Sequence, residues 1–220
     1  LEHGLVSGEE TEGHRVLSPG AFASSAAHAL EKEFSRDSEV TVRSLDILET
    51  TNDLYRKLYG DTYFDLVESA PWLVGWGYRR NDAPFKIGNS LPLWDRLNTT
   101  SAVKSIRRFR PDLVVSTHFL PARMVSLMVT RGYLKARLVV VTTDYDFHGL
   151  WLSSPFNRFF VAREETKAHL IDIGVPSDRI TVSGIPVRPA LGERTSRTDI
   201  LRRHGLCPDR ATLLISAGAA

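Results

Sequence analysis

Four short apolar runs recur through the second half of the chain: "DLVVSTH" (112–118), "ARLVVVTT" (136–143), "RFFVA" (158–162) and "RITVSGIP" (179–186). Each is too short for a helix, and in the first three leucine, valine and phenylalanine fill consecutive positions rather than alternate ones. That pattern suits strands buried on both faces. Helix-patterned segments lie between and after them: "PARMVSLMVTRG" stops at Gly132, "REETKAHLIDIG" follows the third run, and a further helix is expected near 198–204. Strand–helix alternation of this kind predicts an α/β fold, an open parallel sheet covered by helices on both faces. Upstream, "AFASSAAHALEKEF" (21–34) predicts a helix and "EVTVRSLDIL" (39–48) a strand. Two helical regions are expected from 52 to 78, broken near Pro71, and from 92 to 109. The opening "SGEETEGHRV" (7–16) reads as an acidic, glycine-containing turn ending at His14. Its glutamates would repel a phosphate.

The 220 residues can bury the core of one large domain or two small ones. A net charge of only +2 gives no argument for nucleic acid as a partner. Cys207 is the single cysteine, so neither an intrachain disulfide nor an all-cysteine zinc site can form. No apolar run reaches the roughly 18 residues of a bilayer span. Membrane contact is therefore expected to be peripheral.

In an open parallel sheet, ligands bind beyond the carboxyl ends of the strands. Three predicted strand exits carry polar or glycine-containing sequence: "STHFLP", "TDYDFH" and "SGIPVRP". They would place His118, the group Asp144–His148 and Gly184–Arg188 along one rim. Asp144 can cap a turn, or serve beside an imidazole in proton transfer, where a carboxylate fixes the tautomer and stabilises the charged form. Asp144, Asp146 and His148 match no metal-ligand spacing, so no metal is expected. The aromatic segment 54–80 ends in Trp72, Trp76 and the pair Arg79–Arg80. Aromatics at helical spacing fill cores, but tryptophan with arginine also suits a lipid headgroup boundary.

Together, "LYGDTYFDLVESAPWLVGW", "FRPDLVVSTHFLP", "VVVTTDYDFHGLW" and "FFVAREETKAHLIDIGVPSDRITVSGIPVRP" resemble the amino-terminal half of monogalactosyldiacylglycerol synthases and processive diacylglycerol glucosyltransferases. The resemblance runs from about Leu54 to Pro189 with its blocks in the family's order. It implies the amino-terminal, Rossmann-like half of a glycosyltransferase-B fold: residues 1–190 on the acceptor side, and 191–220 as a linker plus the first strand of a donor-binding domain. It implies an inverting transfer of a hexose from UDP-galactose or UDP-glucose to diacylglycerol, without a prosthetic group or metal, at the cytoplasmic face of a membrane. A chain holding so little of the donor half is expected to be inactive alone.

The resemblance also assigns roles. The family's first strand ends in a Gly-x-Gly-His loop whose histidine is the base on the acceptor hydroxyl. Glu12-Gly13-His14-Arg15 is the nearest match and makes His14 the base, with Asp144 or His148 orienting it. An alternative alignment through "SPGAFASSAAHAL" puts Ala23 at that position and removes the base. His118 would line the acceptor cleft, and Trp72, Trp76, Arg79 and Arg80 would meet diacylglycerol and the anionic bilayer surface. A non-catalytic lipid-surface module with a degenerate loop is the second reading. A soluble hydrolase or nucleotide-binding protein on the same sheet is the third.

Overall fold

The structure is a computed structural model that describes residues 13–18, 21–51, 98–145, 147, 149–188 and 196–213. The chain divides into two compact units, 1–187 and 188–220.

The first unit is built on a six-stranded, wholly parallel sheet in the order β2-β1-β3-β4-β5-β6. The strands are β1 (Gly13–Ser18), β2 (Thr41–Asp46), β3 (Leu113–Ser116), β4 (Arg137–Val141), β5 (Arg158–Val161) and β6 (Ile180–Val182). Four helices of this unit are described: α1 (Ala21–Phe34), α2 (Thr100–Phe109), α3 (Phe119–Thr130) and α4 (Glu164–Asp172). The predicted α/β fold, an open Rossmann-like parallel sheet, is therefore the observed one, and α1 has the predicted limits.

Each strand turns alternate residues to opposite faces. Val114, Leu138, Val140, Phe159, Val161 and Ile180 form the main core with Ile106 of α2, Met124 and Met128 of α3, and Leu170 of α4. On the other face Val115 and Val141 are buried with Ala27 of α1, and Leu30 and Phe34 pack against them. Among the described residues this second face carries only α1. An apolar groove of about 680 Å³ runs beside α1, over Leu113, Val115, Val139 and Phe160. Among the described residues, α2, α3 and α4 pack on the main-core face and α1 on the other, as the predicted sheet covered by helices requires.

Helix ends follow local chemistry. Helix α3 tolerates Pro121 because it lies in the first turn, where the backbone N–H has no intrahelical acceptor. It ends at Gly132, with φ +70°, where Gly132 N–H donates to the Val129 carbonyl at 3.0 Å and Tyr133 N–H to Met128 at 2.8 Å. This is the Schellman arrangement, and it requires a left-handed residue. Gly174 ends α4 in the same way. Helix α2 instead ends at Arg110, a non-glycine residue at φ 52°.

Strand β1 was not expected. Residues 13–16 read as the end of an acidic turn, yet Gly13–Ser18 pairs along its length with β2 and over four residues with β3. "GHRVLS" holds only two apolar residues, Val16 and Leu17, so its own pattern is weak. Neighbouring strands on both sides override it.

The second unit contains α5 (Arg197–Arg203), with Leu201 as its buried residue. Among the described residues no helix is long and apolar enough to cross a membrane.

Candidate functional site

The strand order reverses between β1 and β3, which makes the crevice beyond their carboxyl ends the topological switch point. The β3 exit is the best-tied part of it. Thr117 is fully buried, and its Oγ1 donates to the Ala23 carbonyl of α1 at 3.0 Å. Ser116 Oγ donates to the His118 carbonyl at 2.8 Å. From β4, Thr143 Oγ1 donates to the Thr117 carbonyl at 3.3 Å. Side-chain hydroxyls thus cross-link α1, β3 and β4 at the point where the β3 and β4 exits begin.

His118 is the N-cap of α3. Its Nδ1 accepts from the Leu120 N–H at 3.2 Å, satisfying one of the donors that a helix start leaves without a partner. A neutral imidazole accepting at Nδ1 carries its proton on Nε2. His118 is therefore set up to donate a hydrogen bond from Nε2, whereas accepting a proton there would require the tautomer that gives up the cap. Its ring stacks on Phe119 at 4.0 Å and lies 6.0 Å from Trp151.

Asp144 follows β4, and its Oδ2 accepts from Trp151 Nε1 at 3.0 Å. Trp151 ends a short 3₁₀ turn, Gly149–Trp151, and is 1% exposed within the main core. The loop between them is pinned a second time. Thr166 Oγ1 donates to the Tyr145 carbonyl at 2.8 Å and Arg163 Nε to the same oxygen at 3.1 Å. Phe147 packs edge-on to Phe159, 6.2 Å between centroids. A carboxylate on a loop held this way keeps its position, as a proton-handling group requires.

His14 is not where the Gly-His-Arg match put it. It lies inside β1, with Val42 and Leu113 as its Cα partners, so it is four residues short of the strand exit. His118 stands five residues beyond Leu113, and at about 3.3 Å per residue the two positions are at opposite ends of the strands. The β1 exit is Ser18, with α1 starting at Ala21, which corresponds to the alternative alignment. His148 and Asp146 lie outside the described residues, as do Trp72, Trp76, Arg79 and Arg80. Among the described residues no cluster of three metal-ligating side chains occurs.

The structure adds Asp46, which sequence reasoning missed. It ends β2 level with Ser18, so it borders the β1 exit. Its Oδ2 accepts from Ser24 Oγ at 3.1 Å and its Oδ1 from the Leu48 N–H at 2.9 Å. Burial pushes its carboxyl above the ordinary aspartate value, against the lowering effect of these two hydrogen bonds. The available signal was weak: an aspartate closing a strand and followed two residues later by a turn.

Comparison with known proteins gives two concordant findings. Residues 23–187 match the family described as monogalactosyldiacylglycerol (MGDG) synthase. Curated relatives named processive diacylglycerol beta-glucosyltransferase match from Staphylococcus haemolyticus at 31% identity and from Staphylococcus epidermidis and Bacillus mycoides at 33%, over 110 residues each. The matched stretch is 50% of this chain and 28% of each of those relatives.

Proposed function

Because the chain belongs to the monogalactosyldiacylglycerol synthase family, we propose that it forms the acceptor side of a glycosyltransferase that moves a hexose from a nucleotide-sugar to diacylglycerol. The observation that carries this reading is the convergence of His118 and Asp144 on the crevice next to the switch point, with Trp151 touching both. The relatives' printed names supply diacylglycerol and a glucosyl group, and the galactosyl group comes from the family's description.

The chemistry assigned to these residues is proton transfer and positioning. The acceptor hydroxyl enters the crevice, Asp144 takes its proton, and His118 donates a hydrogen bond from Nε2 to orient the oxygen. That oxygen then forms the new bond to the anomeric carbon. The bond from that carbon to the nucleoside diphosphate breaks with its electron pair leaving on phosphate oxygen, which inverts the centre. UDP-glucose or UDP-galactose is the donor in this reading, and no metal takes part. His14 has no role in it, since it sits at the wrong end of β1. His148 is retained as a second imidazole for the same proton, with Trp72, Trp76, Arg79 and Arg80 as the membrane-facing set at a cytoplasmic bilayer surface. Residues 1–190 form the acceptor-side domain and 191–220 lead into the donor-binding one.

The position of His14 favours a second reading, a non-catalytic module that holds diacylglycerol at a membrane surface. A photoreactive diacylglycerol tests the acceptor site that the two readings share. Labelling within residues 117–119 and 143–151, competed by unlabelled diacylglycerol, supports the acceptor site in both readings. Label confined to other peptides, or label that does not compete, overturns it. An enzymatic role further predicts that Asp144→Asn keeps the labelling but abolishes transfer wherever transfer from UDP-hexose is measurable. A non-catalytic module shows no such transfer to lose.

A further inference from the structure

At the ends of the strands opposite this crevice lies a second recess, of about 320 Å³, lined by Arg107, Arg110, Pro111, Tyr133, Leu134 and Lys135. It is formed by the turn from α2 into β3 and the loop from α3 into β4, brought together by the pairing of Leu113 with Arg137. Residues 104–112 and 131–137 carry seven cations, Lys104, Arg107, Arg108, Arg110, Arg131, Lys135 and Arg137, against one carboxylate, Asp112. Asp112 does not line the recess, and among the described residues no carboxylate comes within ion-pair distance of Arg107, Arg110 or Lys135.

Helix ends account for part of this charge. Arg107 and Arg108 lie in the last turn of α2, and Arg131 caps α3, where cations offset the carbonyl ends. Lys135 serves no helix end, yet it faces the same recess. Arg110 is the sharper case, because the left-handed position it occupies is filled by glycine at the ends of α3 and α4. The left-handed turn itself closes α2, since the Arg110 N–H donates to the Ile106 carbonyl at 3.0 Å, and an exposed arginine rather than glycine stands there beside the recess. Arg107 is held over the exposed Tyr133 ring, with Cζ 5.8 Å from the centroid, which fixes one guanidinium as a wall of the recess. Exposed cations gathered at one recess, with no carboxylate in reach among the described residues, favour an anion there, and guanidinium forks match the oxygens of a phosphate.

We propose that this recess binds a phosphate group, presented either by a soluble phosphate ester or by a lipid headgroup. The proposal does not rest on the acceptor-site reading, since the two sites share no residue. The test is calorimetric titration of the full 220-residue chain with inorganic pyrophosphate at low ionic strength. Saturable binding is expected at one site, weakened about tenfold in Arg110→Gly and in Lys135→Gln. Arg202→Gln, on α5, should bind as the unmodified chain does. Arg110→Gly places glycine where the backbone favours it, so a variant with unchanged thermal unfolding assigns its loss of binding to the missing guanidinium. Competition by phosphatidylglycerol vesicles, but not by phosphatidylcholine vesicles, identifies the headgroup as the source. Competition by glycerol phosphate without any vesicle effect identifies a soluble ester. No saturable binding, or equal binding by Arg110→Gly and Lys135→Gln, overturns the proposal.

Discussion

Trp151 Nε1 donates to Asp144 Oδ2 at 3.0 Å, joining a carboxylate on an exposed loop to a side chain that is 1% exposed. Asp144 is therefore anchored to the main core, through a ring that also meets Phe119 edge-on at 6.1 Å. Replacing Trp151 by Phe removes the donor and part of a buried ring. The expected cost is about 3 kcal/mol in urea denaturation. Asp144→Ala removes the acceptor, leaves the indole in place and should cost about 1 kcal/mol. Equal losses from the two changes would show that the hydrogen bond, not the packing of the indole, dominates.

Thr117 is the link between α1 and β3. Its hydroxyl is fully buried and donates to Ala23, 94 residues away in sequence. Thr117→Val keeps the shape and leaves the Ala23 carbonyl without this donor, so a loss of about 1–2 kcal/mol is expected. Thr117→Ser retains the hydroxyl and should lose less. If Val and Ser variants unfold at the same denaturant concentration, the bond contributes nothing.

His118 acts through its cap. His118→Ala should destabilise the chain by about 1 kcal/mol, while His118→Asn, a good N-cap residue, should recover most of that loss. Acceptor labelling separates the two roles of the ring. It should fall in both variants if Nε2 orients the bound hydroxyl, and only in the alanine variant if the cap alone matters.

Much of this site follows from pattern. Consecutive valines in "RLVVV" and "DLVVS" predict buried strands, and parallel strands necessarily deliver Thr117–His118 and Thr143–Asp144 to one edge. What pattern cannot show is pairing across the fold. "GHRVLS" becomes a strand because β2 and β3 flank it, and that same register moves His14 away from the crevice. Local order, Gly-His-Arg, suggested a catalytic loop, but strand position depends on neighbours distant in sequence. Asp46 was hidden for the same reason, since its partner Ser24 comes from a helix 22 residues earlier. The cations of "KSIRRFRPD" read as a basic helix exit. Only the fold brings Lys135 beside them.

Asp46 should make stability depend on pH. Its carboxyl is raised by burial in the folded chain, so the folded state binds the proton more tightly than the unfolded state does. Its stabilising contribution is fully present below the unfolded value, about 4. It is lost as pH rises through the higher folded value. Asp46→Asn removes the titration and should flatten that part of the stability curve measured by urea unfolding across acidic pH. A slope of the same size in Asp46→Asn would assign the effect to another group.

Two helix ends predict opposite signs for glycine exchange. At Gly132, φ is +70° and an added Cβ would meet nothing within 4 Å, so Gly132→Ala meets backbone strain and no clash. That strain is worth roughly 1–2 kcal/mol, partly offset by the lower entropy of the unfolded alanine chain. A net loss of about 1 kcal/mol is expected. Arg110, at φ 52°, is the converse, because glycine relieves the strain while widening the unfolded ensemble. Arg110→Gly should therefore leave stability unchanged or raise it by up to about 1 kcal/mol. Thermal unfolding of the two variants side by side decides the matter. If Arg110→Gly proves the less stable of the two, the arginine side chain holds the α2–β3 turn together through its contacts.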